Sequence, residues 1–155
     1  MRQTDSETSL GMLLHDVARL TRKRFEQRAR TEALGLTRSQ AAVLAQLSRN
    51  EGINQAALAQ ILEIEPITLV RLLDKLESLG MVERRPDPRD RRAHTLHLTA
   101  AARPMLSRIR AVGAKVLDEA LAGLPQERRE TLREILLAMK ANLTEDIETR
   151  STANG

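Results

Sequence analysis

The chain contains no cysteine. Disulfides, thiolate nucleophiles, cysteine-based zinc sites and thiol redox sensing are therefore excluded. Tryptophan and tyrosine are also absent and there is one phenylalanine, so aromatic residues make up only 1%. The core has to be aliphatic, built of Leu, Ile, Val, Ala and Met. With few glycines and few β-branched runs, such a composition favours helices. No apolar run is long enough to span a bilayer. The opening MRQTDSETS is polar and lacks the hydrophobic segment of a signal peptide. These absences lead us to expect a soluble, cytoplasmic protein that does not engage a membrane.

Catalytic signatures are missing too. No Gly-rich phosphate loop, nucleophile elbow or HExxH motif occurs. His15, His94 and His97 are the only histidines. None has an acidic or cysteine partner at metal-ligand spacing, and His94 and His97 should face opposite ways on one short strand. The acid pairs Asp118-Glu119 and Glu145-Asp146 read as solvated helix faces. We expect no enzyme, no metal and no cofactor.

What is present is 41% hydrophobic residues in a chain of 155, with net charge +4. That length suits one compact domain or two small intertwined parts. A basic balance fits nucleic acid binding, but the position of the charge decides more than its sum.

Helical spacing organises most of the chain. Residues 1–7 look frayed. Leu10, Leu14, Val17 and Thr21, widened by Leu13, Leu20 and Phe25, predict a first helix over Thr8–Arg30. Its second half is basic: Arg19, Arg22, Lys23, Arg24, Arg28 and Arg30 against Glu26. Thr37-Arg-Ser-Gln40 has the form of a capping box, opening a helix with Val43, Leu44 and Leu47 inward. Asn54 can cap a short third helix carrying Leu58, Ile61 and Leu62. Pro66 suits the first position of a fourth, since its missing N–H would be unpaired there. That helix should run to Leu79, with Gly80 as its stop. Short extended runs follow at Met81–Arg85 and Ala93–Leu98. Thr99 can cap a long fifth helix stepping through Met105, Ile109, Val112 and Val116. Gly123-Leu-Pro125 breaks it. A sixth steps through Leu132, Leu136, Met139, Leu143 and Ile147. Such stripes in a chain this short imply a homodimer with intertwined terminal helices, the other arrangement being a monomer whose terminal helices fold back.

The loop joining the two extended runs lies within RRPDPRDRRAH, residues 84–94, which holds five arginines and two aspartates. Helix, short helix, tight turn, helix and β-hairpin make a winged helix-turn-helix, in which the helix after the turn enters the major groove. Within PITLVRLLDKLESL, Leu69, Leu72, Leu73, Leu76 and Leu79 form the expected buried face. Thr68, Arg71, Lys75 and Ser78 form a polar stripe on the other side. Arg71 has the fork to grip guanine O6 and N7. Thr68 suits a base edge or phosphate, and Ile67 or Pro66 a thymine methyl. Lys75, further along, suits phosphate. Taken without the hairpin, Arg71 and Lys75 would read as a solvated face.

LGLTRSQAAVLAQL, INQAALAQILEI and LVRLLDKLESLGMVERRPDPRDRRAHTLHLT together resemble the MarR family of bacterial transcription regulators, and its SlyA-like branch in particular. The likeness is close over residues 34–100, while the flanking helices match in length and pattern only. The D-x-R-D-R-R wing ahead of a strand ending in Leu-Thr is a specific signature after such a helix. The resemblance implies a mainly α fold with a small β-hairpin, a winged helix-turn-helix flanked by dimerisation helices. It divides the chain into an N-terminal dimerisation helix (1–33), a DNA-binding domain (34–99), C-terminal dimerisation helices (100–148) and a flexible tail (149–155).

It also implies roles. Arg91 falls on the wing-tip arginine that enters the minor groove, favoured where the groove is narrow and A·T-rich. Arg92 falls on a neighbour that braces the wing and reaches backbone; Arg89, read from its own charge on the wing, suits phosphate or support. Asp90 and Asp87 fall where the family keeps acids that hold those arginines by charge-assisted hydrogen bonds. Thr68 and Arg71 fall on major-groove positions. Two departures stand out. Pro66-Ile67 replaces other small or polar residues, so base preference does not transfer. Ala100-Ala-Ala-Arg-Pro104 replaces a glycine near the fifth helix, where Pro104 would remove a hydrogen bond if the helix began at Ala100.

The function implied is a repressor-type regulator that binds a pseudo-palindromic operator on double-stranded DNA as a homodimer. A small effector, an aromatic carboxylate or its CoA thioester, would release it. His15 and Arg19, one turn apart on the first helix, could meet that anion, or could simply belong to a solvated basic surface. The alternatives are a sequence-tolerant architectural DNA binder and a helical protein-interaction module.

Overall fold

A computed structural model describes residues 8–153, with side chains through residue 144. The frayed segment expected at residues 1–7 and the side chain of Ile147 lie outside the described residues. The elements are α1 (Leu10–Thr31), α2 (Arg38–Arg49), α3 (Gln55–Leu62), α4 (Pro66–Ser78), β1 (Val82–Pro86), β2 (His94–Leu98), α5 (Ala102–Ala120) and α6 (Gln126–Ala153). They form two compact units divided after Leu117, within α5.

Helix starts follow local chemistry. Ser9 caps α1 by accepting from the Met12 N–H, so the helix opens at Leu10 and not at Thr8. The Thr37–Gln40 capping box closes in both directions. Asn54 caps α3 through the Ala56 N–H, and Pro66 occupies the first position of α4. Glu63 takes a left-handed conformation (φ 53°) at the end of α3, turning the chain towards α4. Gly80 does the same after α4 (φ 71°), where a side chain would be strained.

The core of the first unit is aliphatic, as the composition required. Leu34, Leu36, Val43, Leu44, Leu47, Leu58, Leu69, Leu73, Leu76, Val82 and Leu96 are all buried. Truncating any of the leucines to alanine should cost about 2–5 kcal/mol. Leu79 departs from its expected place: it follows the last turn of α4 and is exposed. Leu72 is only half-buried.

Thr99 does not cap α5. Its hydroxyl donates to the Gly80 carbonyl, and its own N–H to Met81, so it ties the end of β2 to the turn after α4. Helix α5 begins at Ala102, which puts Pro104 in the first turn, where its N–H would have had no helical partner. Arg108 then donates to the Glu32 and Ala33 carbonyls, and Lys115 Nζ lies 2.9 Å from Glu32 Oε1. The Lys115 hydrogen bond and charge hold the Glu32 carboxyl below the usual glutamate range.

In the second unit Gly123 (φ 82°) makes the break. Arg129 fastens that turn, donating to the Leu121 and Leu124 carbonyls and to Asp118. α6 continues to Ala153, through most of the segment expected as a tail. Leu132, Ile135, Leu136, Leu137 and Leu143 are exposed on it, and on α1 so are Leu10, Met12, Leu13, Val17 and Leu20. Among the described residues, no helix is long and apolar enough to cross a membrane.

Candidate nucleic-acid interface

Helix α4 buries Leu69, Leu73 and Leu76 and leaves Pro66, Ile67, Thr68, Arg71, Lys75 and Ser78 exposed. The expected polar stripe is therefore free along the helix, with Ile67 60% exposed at its start.

The hairpin follows directly. β1 and β2 pair antiparallel, Val82 with Leu98, Arg84 with Leu96 and Pro86 with His94. Alternation along β1 turns Val82 and Arg84 inward and Glu83 and Arg85 outward. Arg84 reaches across to α4. Its guanidinium donates to the Val70 carbonyl and to Asp74, and its Nε lies 3.3 Å from Glu77 Oε2. That last contact has ion-pair distance but not hydrogen-bond alignment, so the buried Nε has no hydrogen-bond partner. One side chain thus clamps the wing to α4 across about two helical turns. Sequence reasoning missed Arg84, Asp74 and Glu77; the inward phase of Arg84 in the strand was the available signal.

Outside, Arg85 donates to Glu83 at 3.2 Å. That bond and charge lower the Glu83 carboxyl and raise the Arg85 guanidinium from their ordinary values.

At the tip, the two aspartates act differently from the expectation. Asp87 Oδ1 accepts from the Arg89 backbone N–H and Asp90 Oδ1 from the Arg92 backbone N–H, each at 2.9 Å. They fix the turn's main chain and do not hold guanidiniums. A short aspartate reaches the amide two residues on with little loss of side-chain freedom, whereas gripping a long exposed arginine costs more entropy. Ala93 N–H closes on the Asp90 carbonyl and Asp87 N–H on that of Ala93. Arg89, Arg91 and Arg92 consequently stand exposed, and their guanidiniums make no hydrogen bond or ion pair among the described residues.

Two concave places border this surface. A cleft of about 640 Å³ is lined by Glu26, Arg30, Thr37, Arg38, Gln40 and Lys75, among others. Glu26 draws in Arg38 at 3.0 Å and Arg30 at 4.0 Å. A notch of about 210 Å³ lies between α3, the start of α4 and the wing. His15 and Arg19 line neither. Both are exposed on α1, and Arg19 pairs with Asp16 at 3.5 Å. No group of three or more His, Cys, Asp or Glu side chains could hold a metal ion among the described residues.

The first unit thus presents an exposed polar helix face clamped to a wing whose tip arginines are exposed. The MarR family model matches residues 34–93. YybA of Bacillus subtilis (strain 168), an uncharacterized HTH-type transcriptional regulator, is 30% identical over 115 residues, which is 74% of this chain and 77% of YybA. A crystal structure of MarR superposes with a TM-score of 0.81 at 26% identity, covering 94% of this chain and 95% of that one. The apo form of wild-type MarR from E. coli gives 0.77 at 26% identity, covering 85% and 96%. In sequence, and in six helices with a two-stranded wing, this chain belongs to the MarR family of DNA-binding transcription regulators.

Proposed function

We propose that this chain is a SlyA-like repressor that acts in the cytoplasm as a homodimer on a pseudo-palindromic operator and is released by a small anionic effector. The observation that carries the reading is the Arg84 clamp. It fixes the α4 stripe and the wing arginines as one rigid unit, so that a helix in the major groove places the wing at the adjacent minor groove. Thr68 and Arg71 read base edges and Ile67 and Pro66 meet a thymine methyl. Arg91 enters the minor groove, and Lys75, Arg89 and Arg92 take phosphates. The exposed apolar residues of α1 and α6 bury against a second copy, which sets two recognition helices about one DNA turn apart, roughly 34–36 Å.

The effector class is an aromatic carboxylate or its CoA thioester. For such an anion the cleft beside Arg30, Arg38 and Lys75 is a better seat than the exposed His15–Arg19 pair, because it is concave and includes a recognition-helix cation. An effector bound there would shift the DNA-binding equilibrium only by preferring one α4 arrangement over the other.

The test is a gel shift with the protein's own upstream DNA and a scrambled control, over a range of salt. Tighter binding to the upstream DNA is expected. Arg71→Ala should relax base preference, at about 1–3 kcal/mol for the lost bidentate contact, and Arg91→Ala should weaken binding most at A·T-rich flanks. Equal binding to both DNAs would point to an architectural binder, and no binding to a protein-interaction module.

A further inference from the structure

The notch between α3 and the wing is built from unlike elements locked together. Gly52 N–H donates to the Leu96 carbonyl, Leu96 N–H donates to that of Ile53, and Asn54 bridges to Thr95. The segment before α3 is thereby a second partner of β2, beside β1. This sets the first turn of α3 beside the return strand of the wing. The lining of the notch comes from Asn54 and Gln55 at the start of α3, Pro66 and Leu69 of α4, and Arg92 and His94 of the wing.

The lining is rich in side-chain donors and includes no acid. Asn54 Oδ1 is already used by the Ala56 N–H, which leaves the carboxamide nitrogen of Asn54 as its free polar group. Arg92 is the only other charged or titratable group lining the notch besides His94: α3 and α4 contribute none. The nearest acids in sequence, Glu65 and Asp90, are not part of it, and Asp90 is engaged by the Arg92 backbone. His94 itself is exposed.

We propose that this notch seats one backbone phosphate of the bound DNA, with Arg92 as its permanent cation and His94 as a second cation when its ring is protonated. The proposal rests on the DNA-binding reading above and goes beyond it, since it makes operator affinity depend on pH through one named side chain. The occupant is a DNA phosphate because Pro66, at the start of the recognition helix, and Arg92, on the wing, border the same notch. A duplex seated on α4 and the wing therefore passes its backbone over it. Histidine is the side chain that gains its charge between about pH 8 and pH 5. A further phosphate contact adds about 0.9 to the slope of log affinity against log salt, or roughly threefold in affinity between 50 and 200 mM salt.

The experiment measures fluorescence-anisotropy affinities for upstream DNA at pH 6 and pH 8 across that salt range. It uses the wild-type chain, His94→Gln and His97→Gln. His97 lies on the same strand, with its Nε2 3.0 Å from Thr95 Oγ1. Circular dichroism confirms that each variant is folded. The expected result is tighter binding at pH 6 with a salt slope steeper by up to about 0.9 per protomer, retained in His97→Gln and abolished in His94→Gln. A pH effect that survives His94→Gln, or none in the wild type while upstream DNA is still bound, would overturn the proposal and leave the DNA-binding reading intact. Absence of DNA binding at both pH values would overturn both.

Discussion

Removing the Arg84 clamp should lower both stability and DNA affinity while leaving the salt dependence of binding unchanged. In Arg84→Ala the guanidinium loses Val70, Asp74 and Glu77 at once. The two carboxylates are 61% and 49% exposed, so solvent screening limits each pair to about 0.5 kcal/mol. The bond to the Val70 carbonyl is made by a side chain only 22% exposed and contributes about 1 kcal/mol. The sum, about 2 kcal/mol, corresponds to a fall in Tm of about 4–8 °C for a chain of this size. Arg84→Lys should recover less than half, because an ammonium cannot fork between a carbonyl and two carboxylates. A double-mutant cycle with Asp74→Ala should return a coupling of about 0.5 kcal/mol. DNA affinity should also fall, since the wing is no longer held at a fixed angle to α4. The salt slope should stay unchanged, because Arg84 points inward and releases no counterion. Thermal melts and salt-dependent anisotropy titrations read both quantities. A Tm change below about 1 °C would refute the clamp, since even a single surface pair approaches that size. A slope reduced by about 0.9 per protomer would show that Arg84 touches phosphate instead.

Three further outcomes follow from the same geometry. Asp90→Ala makes the wing more positive yet should weaken operator binding about fivefold, because the turn loses a bond of about 1 kcal/mol at the Arg92 amide; tighter binding in an anisotropy titration would refute this. Glu32 has its carboxyl pKa lowered on folding, so its contribution to stability is complete above the usual glutamate range and is lost as pH falls through the folded value. Urea midpoints of wild type and Glu32→Gln should therefore differ at pH 7 and converge on acidification, whereas a gap that widened towards low pH would contradict the sign. Leu143 is 68% exposed on α6; the proposed dimer requires wild type to sediment at twice 17.3 kDa and Leu143→Glu to shift towards a single chain, whereas an unchanged mass would contradict an interface through α6.

The sequence was most readable where one local interaction decides the structure. The Thr37–Gln40 box, the Asn54 cap, Pro66 at the head of α4 and Gly80 after it each depend on neighbours within a few residues, and each is found. The polar stripe of α4 follows from helical period alone. The readings of Thr99 and Arg84 failed where a distant partner decides. Thr99 had the chemistry of a helix cap, but Gly80, brought close by the hairpin, takes its hydroxyl. Leu79 continued the apolar spacing, yet the helix ends one residue before it. Arg84 looked like one of five wing arginines until the strand's pleat turned it onto α4. The aspartates were correctly placed at the wing, but their partners are amides, a preference that charge counting cannot reveal. The notch at His94 depends on the pairing of Ile53 and Asn54 with β2, across forty residues of chain, and no motif announces it.

The central claim is that α4 and the wing act as one clamped reader of DNA. A hydroxyl-radical footprint of the wild-type chain on its upstream DNA tests it most directly. The account predicts two protected segments centred about one helical turn apart, each flanked by minor-groove protection that disappears in Arg91→Ala while the central protection remains. A uniform footprint, or flanking protection that survives Arg91→Ala, would contradict it.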